Sequence, residues 1–338
     1  MKAFSKPAGP VTLARTAFVA QNDGLRAEAL SLNRAYASGA PRRSCKTCGA
    51  DVGAPDFMSF HVAYSVCAQC GHLNGLYDDA TLLRAAQDRP EDPGQRAAML
   101  QRFDARVEET YLPKLDFLTG CLAERGTNRP PRVLDVGCGG GHFVKACQLR
   151  DIPARGIDPK ADLIALGREK LGPDSLAAIS PDAFADQIRT TDASIVSMLD
   201  VLEYLPDPRE ALTAFRDSEA SVLFVSVPLF SLSVFLEHCF PQVFPRQLSG
   251  AHTHLYTPES LACLERDFGL ERFGEWWFGA DMIDLYRSIS VSLRGSGATR
   301  TVVRAFDARF GAIIDDLQAV LDQHQACSEV HLVWGKNA

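Results

Sequence analysis

The sequence lacks a long hydrophobic run, a long run of one charge and any internal repeat. Its longest apolar stretch, 221–236, is interrupted by Pro228, Ser231 and Ser233, and stops short of the ~20 apolar residues of a membrane-spanning helix. The stretch 11–20 is broken by Thr and Arg, which argues against a signal peptide. With 338 residues, 46% of them hydrophobic, and no low-complexity tract, the chain is neither fibrous nor disordered. We therefore expect a globular protein with no membrane partner.

Positive charge is also scarce relative to negative charge. Lys and Arg number 35 against 42 Asp and Glu, so the formal net charge is -7. Proteins that bind nucleic-acid phosphates usually carry the opposite sign. Arg42, Arg43 and Lys46 form only a small basic cluster, which is more typical of a solvated turn than of a nucleic-acid site. The sequence therefore disfavours a nucleic-acid partner.

The ten cysteines would suit a secreted disulfide scaffold only in a much shorter chain, so we expect a reducing, cytoplasmic location. Two C-x2-C pairs separated by 49–66 have the spacing of a tetrahedral site in which all four positions are filled, and this predicts structural zinc. A redox dithiol and chance pairing are the alternatives. The predicted ligands are Cys45, Cys48, Cys67 and Cys70. His72 is redundant as a ligand. The other cysteines, expected to be buried small apolar residues, are Cys121, Cys138, Cys147, Cys239, Cys263 and Cys327.

Apolar strand-like runs alternate with helical segments in the second half of the chain, which predicts an α/β fold with a parallel sheet and helices on both faces. Upstream, Pro90 and Pro93 separate two helices within 81–124, and Pro113 should kink the second. The predicted strands are 133–136, 154–157, 176–179, 194–198, 222–227, 272–278 and 330–334, with a helical stretch at 282–324. The predicted segments are a helical arm (1–44), a zinc-binding module (45–80), a helical linker (81–128) and an α/β domain (129–338) with an aromatic insert (228–250).

A glycine loop follows the first of these strands, in the segment Val133-Leu134-Asp135-Val136-Gly137-Cys138-Gly139-Gly140-Gly141-His142. Glycines let a backbone turn sharply and approach a ligand closely. The dinucleotide fingerprint needs a glycine or alanine at the sixth position, where this chain has His142. An acid two residues before Gly137 would repel a pyrophosphate but suits a ligand with an ammonium group.

Over most of 132–336 the sequence resembles class I methyltransferases that use S-adenosylmethionine, which implies a Rossmann-like sheet, this cofactor and methyl transfer. The resemblance implies that Asp135, Gly137, Gly139 and Gly141 form the cofactor loop. It places Asp158, 21 residues after Gly137, where the family's acid holds both ribose hydroxyls. It further assigns the loop after the third strand to the adenine amino group, with Asp182, or else Ser180 or Ala183, as the contact.

The segment that begins at Asp200 resembles the family's stretch after the fourth strand, usually D-V-L-E-H-L, and places Asp200 in the cofactor site. Tyr204 replaces the familiar histidine of that stretch, and Glu203 precedes it. Both are candidates for the base that takes the acceptor proton. The aromatic motif Trp276-Trp277-Phe278 in the sixth predicted strand, followed by Gly279-Ala280-Asp281, either lines the acceptor pocket or packs in the core.

A histidine pair follows the aromatic insert, which we interpret either as a lid on the substrate side or as a buried helix and loop. The segment from His252 to Leu261 resembles the H-x-H-x-F/Y-S/T-P-x-S-L stretch of small-molecule methyltransferases. It also resembles the Y-H-E-H segment of zinc-containing sugar C-methyltransferases, although Thr253 stands where that segment has Glu. The resemblance favours His254 as general base, with His252 second; a purely structural pair is the alternative.

The sequence thus predicts a zinc-stabilised methyltransferase that uses S-adenosylmethionine. The combination of modules resembles enzymes of sugar and polysaccharide biosynthesis, so the expected acceptor is a small molecule such as a nucleotide-linked sugar. One alternative is an RNA methyltransferase, since some carry a similar zinc module. The other is a binding protein without turnover. The accepting atom and the oligomeric state stay open.

Overall fold

Two β-sheets organise the part of the chain that this computed structural model describes, which comprises residues 1–6, 15–82, 93–126, 131–248 and 252–337. Described strands are β1 (Lys2–Phe4), β2 (Phe57–Ser59), β3 (Val62–Val66), β4 (Leu73–Gly75), β5 (Val133–Val136), β6 (Ala154–Asp158), β7 (Leu176–Ala178), β8 (Ile195–Leu199), β9 (Val222–Pro228), β10 (His254–Leu255), β11 (Leu270–Phe278) and β12 (Glu329–Lys336). The larger sheet has eight strands and the smaller one has four.

The larger sheet has the order β1-β11-β12-β9-β8-β5-β6-β7. Strands β5 to β9 run parallel to one another, whereas β12 runs antiparallel to both β9 and β11. Every residue of β5, β8 and β9 is buried, as expected for parallel strands covered on both faces. The predicted α/β fold with a Rossmann-like sheet is confirmed.

The amino-terminal strand β1 was not predicted, because three residues are too few to show an alternating pattern. It pairs in parallel with β11, with Phe4 opposite Trp277. The stretch expected to be only a helical arm therefore also supplies an edge strand of the larger sheet.

Helices cover both faces of this sheet. The described helices are α1 (Arg15–Ala37), α2 (Pro93–Arg106), α3 (Leu112–Glu124), α4 (His142–Gln148), α5 (Ala161–Leu171), α6 (Phe184–Arg189), α7 (Pro208–Asp217), α8 (Leu232–Cys239), α9 (Pro258–Phe268), α10 (Asp281–Gly295), α11 (Arg300–Phe310) and α12 (Ile314–Gln323). One core lies between the sheet and α6, α7 and α9, and another lies under α2, α3 and α4. No described helix is long and apolar enough to cross a membrane.

A π-helical turn joins α2 to α3, at the place where Pro113 was expected to kink the chain. The turn spans Val107–Tyr111, and Pro113 lies in the first turn of α3. Proline has no N–H to donate and its ring crowds the carbonyl four residues earlier, so a wider turn accommodates it. The split predicted at Pro90 lies outside the described residues.

The smaller sheet has the order β10-β4-β3-β2, and every pairing in it is antiparallel. Strands β2 to β4 come from the cysteine-rich segment, but β10 comes from the histidine pair almost two hundred residues later. Its pairing places His254 opposite Asn74 and covers one edge of β4. The cysteine-rich segment and the histidine segment therefore form one structural unit.

The described part of the aromatic insert is a helix and loop that pack against neighbouring elements, with Phe235 of the helix 57% exposed. The buried carboxylate of Glu237 accepts hydrogen bonds from the backbone N–H groups of residues 246, 247 and 248. Arg246 pairs with the buried Asp284 of α10 at 2.7 Å. From α1, the side chain of Asn22 bonds to the backbone of Gln242 and Phe244. Contacts on several sides hold the described part of the insert in place.

Candidate functional site

The glycine loop leaves β5 in a conformation that only glycine adopts easily. Gly137, Gly139 and Gly141 have φ angles of 70°, 52° and 78°, in the left-handed region. A Cβ atom at Gly137 would lie 2.5 Å from Cγ2 of Val201, whereas the nearest atom to a Cβ at Gly139 would be Cδ1 of Leu163 at 3.9 Å. The loop is tightly packed behind Gly137 and open at Gly139, as a backbone cradle for a ligand would be.

Substituting Gly137 by alanine is expected to destabilise the protein by about 1–3 kcal/mol or more, because the new methyl group meets Val201 and the left-handed backbone is strained. Gly24→Ala is the matched control. Gly24 lies within α1 with open space around its Cα, so the same change should stabilise by about 0.5–1 kcal/mol. Urea unfolding measures the free energy of unfolding of both variants. Equal effects of the two substitutions would contradict the close packing of Gly137 against Val201.

Two of the predicted acids lie at the carboxyl ends of adjacent strands beside this loop. Asp135 is buried and accepts a 2.6 Å hydrogen bond from the hydroxyl of Ser197, and burial raises its pKa to about 7. Asp158 accepts hydrogen bonds from the backbone N–H of Gly139 at 2.8 Å and of Lys160 at 2.9 Å. Burial raises the pKa of Asp158 despite these bonds. The carboxylate of Asp158 therefore holds the open part of the loop.

The other two predicted acids, Asp182 and Asp200, follow β7 and β8, which flank β6 and β5 in the sheet. Asp182 is exposed in a single 3-10 turn after β7. Asp200 follows β8 with a left-handed φ of 58°, which is uncommon for a residue other than glycine. Because β8, β5, β6 and β7 are consecutive in the sheet, the structure brings all four acids to one edge.

Asp200 belongs to a chain of polar groups that sequence reasoning missed. Its carboxylate accepts a 2.6 Å hydrogen bond from the hydroxyl of Ser226 and lies 3.5 Å from the ammonium group of Lys114. Oε1 of Glu329 lies 3.1 Å from the same Ser226 oxygen. Burial raises the pKa of Glu329, and the Ser226 hydroxyl lies between its carboxyl group and the carboxylate of Asp200.

Lys114, which lies in α3, supplies a positive charge that offsets the negative charge of Asp200. Burial alone would raise the pKa of Asp200, but the Lys114 ammonium and the Ser226 hydroxyl outweigh it and lower the pKa. Lys114 could have been noticed in the sequence, because it lies on the apolar stripe of its helix, three residues after Tyr111 and next to Leu115. A charged residue on a buried face needs a partner.

Strand alternation divides the predicted aromatic motif between two faces of the sheet. Trp277 is fully buried in the core, with its indole N–H bonded to Glu275. Trp276 and Phe278 point to the opposite face, where the ammonium of Lys6 lies 5.6 and 4.6 Å from their ring centroids. Packing therefore explains Trp277, while the other two rings lie on the face that carries Ser226.

The structure joins Tyr204 and His252, two of the predicted base candidates. The phenol oxygen of Tyr204 lies 3.1 Å from Nε2 of His252, and Nδ1 of the same ring lies 3.0 Å from the carbonyl oxygen of Gln247. A carbonyl can only accept, so Nδ1 carries the proton and Nε2 accepts from the Tyr204 hydroxyl. Burial lowers the pKa of His252 to about 4, so its ring is neutral at pH 7. Tyr204 is 41% exposed.

His254, the favoured base, instead lies inside the smaller sheet with 0% of its surface exposed. Its Nδ1 is 2.8 Å from Nε2 of His72, whose own Nδ1 is 3.3 Å from the hydroxyl of Ser260. Since a base must reach its acceptor, this burial favours His252 over His254, and the identity of the base stays a prediction. Glu203 is also buried, and burial raises its pKa well above the ordinary value.

The four predicted cysteine ligands form one cluster, with all their sulfur atoms within 4.8 Å of one another. The Sγ atoms of Cys45 and Cys70 are 3.6 Å apart, and those of Cys48 and Cys67 are 3.5 Å apart. Four sulfurs bound tetrahedrally at ~2.3 Å would be ~3.8 Å apart, so this set fits a metal ion. An N–H of Asn74 points at the Cys45 sulfur.

Taken together, the parallel sheet, the glycine loop and the acids at its carboxyl edge define a nucleotide-cofactor fold of the methyltransferase type. A family model described as a methyltransferase domain matches residues 103–272, from α2 into β11. The chain belongs to this family, and the resemblance noted from the sequence is confirmed at that level.

Curated relatives cover part of the chain. It is 28% identical over 153 residues to a ubiquinone biosynthesis O-methyltransferase of Methylococcus capsulatus, covering 42% of this chain and 64% of the relative. A protein of the same name from Cupriavidus pinatubonensis is 27% identical over 158 residues. This match covers 41% of this chain and 60% of that relative. The chain thus spans less than two thirds of these relatives. Among solved structures, the magnesium protoporphyrin IX methyltransferase of Synechocystis is 12% identical, with a TM-score of 0.40. The match covers 75% of this chain and 92% of that structure.

Proposed function

We propose that this protein transfers the methyl group of S-adenosylmethionine to a hydroxyl group of a small molecule. The observation that carries the proposal is the glycine loop with its left-handed backbone, held open by Asp158 at the carboxyl edge of a sheet in a methyltransferase-domain family. The open space at Gly139 is the cradle that such a ligand needs.

Each cofactor contact is assigned to a residue of this edge. Asp158 would exchange its bonds to Gly139 and Lys160 for the ribose hydroxyls, and Gly137, Gly139 and Gly141 would let the backbone approach the ligand. Asp135, behind the loop, would favour the ammonium group of the cofactor, and Asp182 would contact its adenine amino group. When bound, S-adenosylmethionine supplies a methyl group on a sulfonium, a leaving group that needs no acid.

Tyr204 and His252 would take the proton of the acceptor hydroxyl. The Tyr204 oxygen would take the acceptor proton while the Tyr204 proton passes to Nε2 of His252. The bound cofactor would supply the methyl carbon, whose bond to the sulfonium sulfur breaks, leaving the electron pair on sulfur, as the acceptor oxygen bonds to it. Gln247 fixes the tautomer that leaves Nε2 free to accept. Asp200, on its strained backbone and kept ionised by Lys114, is placed to orient the acceptor.

Tyr204→Phe and His252→Gln should each lower the transfer rate by about 100-fold, since a positioned base contributes this much or more. Affinity for S-adenosylmethionine should not change, because the proposed cofactor contacts lie in the glycine loop and at Asp158 and Asp182, not at these two residues. In wild type, the rate should fall only as the pH drops through about 4 to 5, because His252 has to be neutral and burial lowers its pKa to about 4. Rates in both variants within twofold of wild type would refute the assignment.

The acceptor class is tested with labelled methyl from S-adenosylmethionine, added to fractionated extract of the source cell with wild type and Tyr204→Phe in parallel. Two relatives are named for O-methyl transfer in ubiquinone biosynthesis, which favours label in small hydroxylated molecules. Label in anionic nucleotide-linked sugars would restore the acceptor expected from the sequence. Label in a nuclease-sensitive polymer would support the RNA alternative, and no label with intact cofactor binding would support a binding protein.

We also propose that the four-cysteine cluster holds a structural zinc ion, because all four ligand positions are sulfur and none is left for substrate. These thiols would remain available for zinc in a reducing compartment, and the cytoplasmic location is still a prediction.

A further inference from the structure

A buried lysine joins the four-cysteine module to the proposed acceptor site. Lys46 lies between the first two cysteines and is only 5% exposed, contrary to the solvated turn expected from the sequence. Its ammonium group lies 2.6 Å from the carboxylate of Asp79 and donates to the carbonyl oxygen of Leu205 and the hydroxyl of Thr253, both at 3.1 Å.

The two acceptors of these bonds are the residues that follow Tyr204 and His252. One ammonium group therefore holds the backbone next to the tyrosine and the side chain next to the histidine. The module itself fixes the position of Lys46, because the Lys46 N–H donates to Oδ1 of Asn74, whose amide also faces the Cys45 sulfur. The carbonyl of Thr253 accepts from Gly75 of β4 at 2.8 Å, so Thr253 is tied to the module twice.

Lys46 is not needed merely to neutralise the charge of Asp79. Asp79 has a second cation in Arg42, whose guanidinium lies 2.9 Å from the same carboxylate oxygen. By contrast, Lys46 is the charged donor of this pair that reaches both segments of the proposed base. Hydrogen bonds from a charged donor in a buried site are stronger than neutral ones and hold their partners in place.

We infer that Lys46 is a positioning residue for the Tyr204–His252 pair, so that the metal-binding module sets the geometry of the acceptor side of the site. This inference rests on the proposed function for its effect on methyl transfer, but not for its effect on the pair itself. The cysteine module then acts as part of the methyltransferase site and not as a separate appendage.

The test compares Lys46→Met with Asp79→Asn in the full-length, metal-loaded protein. Nitrogen-15 NMR of the histidines, with His252 identified by its loss in His252→Gln, reports which ring nitrogen carries the proton at pH 7. Hydrogen exchange of a peptide covering 200–208 reports the amides of Tyr204 and Leu205, which bond to Val201 and Leu202. Lys46→Met should turn the single His252 tautomer into a mixture and speed exchange of this peptide about 10-fold.

Asp79→Asn is the matched control, because Lys46 keeps both of its contacts to the acceptor side. It should leave the His252 tautomer and the exchange of 200–208 as in wild type, even if it lowers the stability of the module. Thr253→Val, which removes only one acceptor of Lys46, decides the matter if Lys46→Met loses its metal. An unchanged tautomer in both Lys46→Met and Thr253→Val would overturn the inference.

Failure of this inference and failure of the proposed function have different signatures. If no acceptor is ever methylated but Lys46→Met still gives a mixture of His252 tautomers, Lys46 is a positioning residue and the proposed reaction is wrong. If transfer depends on Tyr204 and His252 yet Lys46→Met leaves the rate and the tautomer unchanged, the reaction holds and the positioning is wrong. Titration with S-adenosylmethionine should give the same affinity for Lys46→Met as for wild type.

Discussion

Replacing Asp158 by alanine is expected to lower the affinity for S-adenosylmethionine by about 10²- to 10⁴-fold. The proposed bonds from two ribose hydroxyls to this carboxylate are each worth about 1.5–3 kcal/mol, and every 1.4 kcal/mol is a factor of ten. The carboxylate also organises the loop through the N–H of Gly139, so its removal affects the cradle as well as the direct contact. Titration calorimetry with the purified protein measures the effect.

Two further variants separate these contributions. Asp158→Asn keeps an oxygen that can accept from Gly139 but loses the negative charge, so its affinity should lie between those of wild type and Asp158→Ala. Asp162→Ala removes an exposed acid from the first turn of α5 and should bind like wild type. Unchanged affinity in Asp158→Ala would show that the ribose assignment is wrong.

Replacing Cys45 and Cys67 together by serine is expected to abolish metal binding and to unfold the cysteine-rich module. Structural zinc sites in small modules contribute about 10–16 kcal/mol of apparent binding free energy, comparable to the whole stability of a domain, about 5–15 kcal/mol. Since β10 belongs to the module's sheet, its loss should also release the segment that carries His252. Elemental analysis and thermal unfolding followed by circular dichroism measure both effects.

Cys239→Ser is the control for this experiment, because Cys239 is exposed and lies outside the cluster. It should retain one metal ion per chain and the thermal transition of wild type. A wild-type protein purified without any metal, with the same thermal transition as the double variant, would contradict the zinc proposal and leave the cysteines as a thiol cluster.

Much of the fold was predictable because its signals are local. The mostly apolar runs of β5, β8 and β9 are long enough to predict buried strands, and each strand lies within one or two residues of its predicted bounds. The glycine loop was predictable for the same reason, since its left-handed conformation requires glycine at particular positions. The short β1 and the π turn before Pro113 were missed, because three residues carry no periodicity and a proline does not specify how a helix adapts to it.

The proposed base was only partly predictable. The sequence motif singled out His252, His254, Glu203 and Tyr204, but it ranked His254 first because motif position says nothing about burial. The structure places that ring inside a sheet and pairs the other histidine with Tyr204. Ranking these two histidines needed the tertiary structure, because His254 is buried where β10 pairs with β4, whereas His252 lies before that strand and meets Tyr204.

The sequence by itself determined the features encoded in short, contiguous patterns: the alternating α/β order, the glycine loop with its acids, and two cysteine pairs at metal-binding spacing. Only the tertiary structure decided which distant residues meet. Lys46 and Leu205 are 159 residues apart, and Lys114 and Asp200 are 86 apart, yet the buried lysine of each pair contacts its distant partner. The reason is that a buried charge must find its partner wherever the packed chain supplies one, and this requirement leaves no fixed spacing in the sequence.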